Sequence, residues 1–134
     1  MDNTALVRRG WLRIMYLFTL FGAGGFGFGI LFFPGPVQTL FRMPPQDPAI
    51  FKFVGSFLFA SGLIAIPALL FPLKFVALLL LQLAYKPVWI ALVALPLFLK
   101  GQFPLYVVAI TVIFIAYIVG DLVAIPFRHL FSKA

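Results

Sequence analysis

Between Phe75 and Leu99 the chain reads FVALLLLQLAYKPVWIALVALPLFL, a stretch of 25 residues in which Lys86 is the single charge. A hydrocarbon core about 30 Å thick needs roughly 20 helical residues, so this stretch predicts a membrane span. A cation near the centre of such a helix costs roughly 2.5–3.5 kcal/mol on insertion scales and calls for a partner, a wet cavity or a function.

Three further stretches have the same character, and the predicted spans are 14–33, 53–71, 75–99 and 105–127. The chain is 134 residues long, 64% hydrophobic and 10% charged, which predicts one integral membrane domain. Short connections at Pro72-Leu73-Lys74 and from Lys100 to Pro104 require the last three spans to be antiparallel neighbours. The expected fold is therefore all-α, a four-helix transmembrane bundle running up and down.

Charge placement sets the expected orientation. One side would hold Arg8, Arg9, Arg13, Lys74, Arg128 and Lys133, the other Arg42, Lys52 and Lys100. Six basic residues against three predict both termini in the cytoplasm. These charges flank apolar runs and form no clustered basic face, which argues against nucleic acid and for lipid headgroups as contacts. Arg8, Arg9 and Arg13 ahead of an apolar run imitate a signal peptide. The run is about 20 residues long and lacks a small-residue cleavage site before Pro34, so it reads as a retained helix.

The long connection 34–52 carries Pro34, Pro36, Pro44, Pro45 and Pro48. It is read as a stiff tether, with a short turn over Val37 to Met43 in the headgroup plane as the alternative. With no cysteine and one histidine, the chain offers no disulfide, no thiolate and no His/Cys metal cluster.

Small residues mark the expected helix contacts. Gly25 and Gly29 form a GxxxG pair in the first span, and Gly55 and Gly62 supply small positions in the second. A groove for an apolar ligand or a partner helix is the alternative use of these glycines. Pro67, Pro87 and Pro96 fall inside spans and free the carbonyls of Leu63, Leu83 and Leu92. Trp11 and Tyr106 fit an interfacial belt, while Tyr85 and Trp89, four apart near mid-span, read as packing residues.

The polar residues of the last two spans form the main site expectation. Gln82 and Lys86 share one helix face, as do Tyr117 and Asp121. A hairpin centred between Gly101 and Gln102 sets Lys86 level with Tyr117 and Gln82 level with Asp121. A Lys86–Asp121 ion pair is expected, with Tyr117 and Gln82 satisfying the remaining donors and acceptors. Such a pair would fix helix register. Alternatively the patch would be a polar pocket in the cytoplasmic half for a carbonyl, quinone or lipid headgroup, a proton relay, or a contact to another subunit. Four spans are too few for the usual retinal-enclosing bundle, which disfavours a Schiff-base pigment.

Leu12-Arg13 entering a glycine-bearing helix that ends at Pro34, a proline-containing loop, and Gly55 and Gly62 in the next helix resemble the DoxX-like group of small bacterial four-helix membrane proteins. The resemblance implies a four-helix bundle and, for some members, association with quinone-linked oxidoreductase complexes. It carries over no catalytic residue. The expected function is a structural or accessory subunit of a larger complex in the bacterial cytoplasmic membrane, and a lipid-, quinone- or pigment-binding protein, with transport as a further role, is the alternative. An enzyme ranks third, since only Asp121 and His129 offer acid–base groups near an interface.

Overall fold

Prolines and glycines set the boundaries of the helices. The computed structural model describes residues 9–131. Four helices are long and apolar enough to cross a membrane: α1 (Arg9–Phe32), α3 (Pro48–Leu70), α4 (Pro72–Leu99) and α5 (Leu105–Ala124). The short helices α2 (Pro34–Leu40) and α6 (Phe127–Leu130) complete the described residues. Arg8 and Lys133, counted for orientation, lie outside them.

The helix starts differ from expectation for local reasons. Pro34 sits in the first turn of α2 and Pro48 in that of α3, where proline's missing N–H is no loss. Asp47 caps α3, its Oδ1 accepting from Ile50 N at 3.0 Å, so the helix begins five residues before the predicted span. The tether is thus partly helical, and α2 occupies its first half. Arg42, with φ 53°, takes the left-handed conformation just after it.

The stops are equally local. Phe33, Phe71 and Ile125 each precede a proline and leave the helical region, as steric conflict with the next ring requires. For α5 this ends the span at Ala124, short of the predicted Phe127. Gly101, at φ 73°, closes α4 with paired bonds from Gly101 N to Phe98 O and from Gln102 N to Leu97 O.

The long helices run antiparallel in sequence order. At one end Arg13 Nε donates to Leu69 O at 3.3 Å and Tyr16 Oη to Pro72 O at 2.6 Å, tying the start of α1 to the α3–α4 turn. Further along, Gly24 meets Gly62, and Gly27 meets Gly55 and the backbone at Phe59. Rising numbers on α1 match falling numbers on α3. The buried core of Leu12, Tyr16, Ala65, Ala68, Leu79 and Ala124 fills the end of the bundle near that turn. Away from the turn α3 and α4 separate, because α3 packs chiefly on α1 and α4 chiefly on α5.

The glycine contact does not use the expected GxxxG pair. A Cβ on Gly25 would meet nothing within 4 Å, and one on Gly29 would meet only Val37 Cγ2 of α2, at 3.1 Å. Gly24 and Gly27 face α3 in their place, against the expected Gly55 and Gly62. The π turn at Leu20–Gly24 lies just before this face, and its extra residue rotates every later side chain about the helix axis relative to the start of α1.

Candidate functional site

Two interruptions in otherwise regular helices frame the site. α1 widens into the π turn at Leu20–Gly24, and α4 does so at Ile90–Ala94, between Pro87 and Pro96. A π turn disturbs the i−4 ladder and leaves a carbonyl for an outside donor. Phe18, just before the first π turn, accepts from the Tyr117 hydroxyl at 2.8 Å. That bond holds the Tyr117 ring against α1, where Gly22 leaves room for its hydroxyl.

Lys86 lies beneath this ring. Its Nζ sits 4.1 Å from the ring centre of Tyr117, 4.6 Å from that of Tyr85 and 5.1 Å from that of Phe114. Aromatic faces attract a cation by about 2 kcal/mol or more when water is excluded, and Lys86 is only 1% exposed. Two hydrogen bonds add to this, to Gln82 Oε1 at 3.3 Å and Tyr85 Oη at 3.1 Å. Gln82 in turn donates to Thr19 Oγ1 at 3.3 Å, and Thr19 donates to Met15 O at 2.8 Å. The buried chain Lys86–Gln82–Thr19 therefore links α4 to α1.

The expected Lys86–Asp121 ion pair does not form. Asp121 is fully buried, and neither carboxylate oxygen has a hydrogen-bond partner. Three rings and Gln82 already surround the ammonium, so the lysine turns toward them. Asp121 stays within range of a through-space charge interaction with it. The Leu83 carbonyl freed by Pro87 is not a partner of Lys86 either. Of the four expected patch residues, Gln82, Lys86 and Tyr117 are in contact, and Asp121 is buried near them without a hydrogen bond.

Above Lys86, on the side of α2, opens a cavity of about 620 Å³. All four long helices line it: α1 with Gly22 and Phe26, α3 with Phe53 and Phe57, and α4 and α5 with Trp89 and Ile110. This cavity is apolar and lies in the half of the bundle away from the α3–α4 turn. Lys86 is the one charged residue in its wall. Tyr85 stands edge-on between Phe57 and Phe114, 6.0 Å from each, where α3 and α4 part.

Thr19 and Phe114 carry the site and were missed in the sequence reading. Thr19 had a visible signal, being with Tyr16 one of two hydroxyl side chains within the apolar run of the first span. Phe114 had none, because eighteen phenylalanines in the chain give no one of them distinction. Among the described residues no group of three His, Asp or Glu could hold a metal ion.

Four apolar helices of spanning length mark an integral membrane protein. No protein-family model, curated protein or solved structure matches the chain.

Proposed function

We propose that this protein binds one amphipathic, largely apolar molecule from the bilayer in the cavity lined by the four long helices, with its polar end at Lys86. The observation carrying this reading is the cavity itself. At about 620 Å³ it falls within the range of small-molecule sites, and it pairs apolar walls with one fixed cation. A lysine kept only for helix register would need no open volume beside it. An opening where α3 and α4 part, beside Phe57 and Tyr85, would let lipids, quinones and pigments enter sideways from the bilayer.

Solvent extraction of the purified protein followed by mass spectrometry tests the reading. A stoichiometric amphipathic molecule, depleted in Lys86→Met, is expected. An extract that matches the bulk membrane in both proteins would contradict it.

A second reading, an accessory subunit of a larger membrane complex in the manner of some DoxX-like proteins, has one supporting observation. Gly25 leaves a gap on the outward face of α1 beside the exposed rings of Phe21 and Phe28, a shape suited to a partner helix. Gentle extraction and native mass measurement would reveal such a partner. The same proposal sets both termini in the cytoplasm of a bacterium. Among the described residues Arg9, Arg13, Lys74 and Arg128 at one end against Arg42, Lys52 and Lys100 at the other support that side.

A further inference from the structure

We propose that the occupant is a single-chain lipid carboxylate, a fatty acid, with its carboxylate on Lys86 and its chain along the apolar wall toward Phe41 and Phe53. This deepens the ligand-binding reading and rests on it.

Donor chemistry decides the headgroup. Lys86 has three N–H groups, and two are taken by Gln82 and Tyr85. Trp89, the other donor-only residue in the wall, stacks edge-on against Phe114 at 5.3 Å, and Phe114 also lies 5.1 Å from the ammonium. The ammonium and the Trp89 ring thus both lie against Phe114. An ionised carboxylate, which only accepts, complements them.

Charge points the same way. No carboxylate lines the cavity, and Asp121 makes no ion pair with Lys86. An anion brought into these dry surroundings meets a cation that makes no salt bridge, and a charge-assisted bond is roughly twice as strong as a neutral one. A headgroup carrying its own cation would be repelled.

The far wall excludes a second polar end. Phe26, Phe41, Phe53 and Val54 offer no hydrogen-bonding side chain. A quinone has carbonyls on opposite ring edges, and one of them would face this wall unsatisfied. An alkyl chain fits it. On α5 the lining runs from Ile110 to Tyr117, about 10 Å of helix rise, and the remainder of the chain leaves between α3 and α4. Since Lys86 is screened by rings, the half-buried Tyr85 must swing aside for the head to arrive.

Trp89 fluorescence supplies the test. With Trp11→Phe, at an exposed position, Trp89 is the chain's sole tryptophan. The protein in detergent micelles at mildly alkaline pH is titrated with stearate carrying a nitroxide near its carboxyl end, and with the methyl ester of the same compound. Saturable quenching is expected, with the acid binding about tenfold or more tighter than the ester. Lys86→Met should bring the acid to the ester's Kd, and Lys86→Arg should keep the preference. Equal affinities in the protein with Lys86 intact would overturn the carboxylate proposal and leave the pocket reading standing. No saturable quenching by either compound would overturn both.

Discussion

The ammonium of Lys86 lies 4.1 Å from the ring centre of Tyr117, and the hydroxyl of that ring is fastened to the Phe18 carbonyl 2.8 Å away. Three helices thereby share one contact. Position of the cation depends on the tyrosine, and position of the tyrosine depends on the π turn in α1.

Tyr117→Phe should separate the two functions of this residue. It keeps the ring over Lys86 but leaves the Phe18 carbonyl without its donor, a loss of about 1–3 kcal/mol for a buried group. Thermal unfolding in detergent should show that loss, and Tyr117→Leu, which also removes the ring, should lose more. Equal midpoints for Tyr117→Phe and the unaltered protein would show that the Phe18 bond contributes nothing.

Gly62→Ala and Gly25→Ala should differ sharply. An added methyl on Gly62 meets the backbone of Gly24, which cannot rotate away as a side chain would. Overpacking of this kind costs typically about 1–3 kcal/mol. At Gly25 the methyl meets nothing within 4 Å, and helix propensity favours alanine by up to about 1 kcal/mol. Unfolding midpoints would decide, and a larger loss at Gly25 than at Gly62 would reverse the assigned contact face.

Asp121→Asn should cost no more than about 1 kcal/mol, the centre of the range for single substitutions. The carboxylate is buried without a hydrogen bond, so no partner is lost. Gln82→Leu should destabilise more, since it strips acceptors and donors from both Lys86 and Thr19. A loss of several kcal/mol in Asp121→Asn would mean that the acid holds Lys86 after all.

Much of the bundle was legible because span length and short connections leave few choices. Hairpin arithmetic from Gly101 and Gln102 sets Lys86 level with Tyr117, and their contact follows that register. The π turns were not legible. No residue type marks them, yet the one at Leu20–Gly24 breaks the count from the start of α1 to the glycines at Gly24 and Gly27 that meet α3. Helix periodicity also cannot rank competing partners for a buried cation. Asp121 was the only acid on the adjoining face, and ring faces carry no formal charge to flag them in a sequence.

The central claim is an occupied cavity ending at Lys86, and filling that cavity tests it most directly. Leu58→Trp places an indole in the cavity wall, while Ile66→Trp places one on the exposed face of the same helix. Native mass measurement after gentle extraction should show one bound lipid-sized molecule per chain in the unaltered protein and in Ile66→Trp, and none in Leu58→Trp. Equal retention of that molecule in both variants would contradict the account.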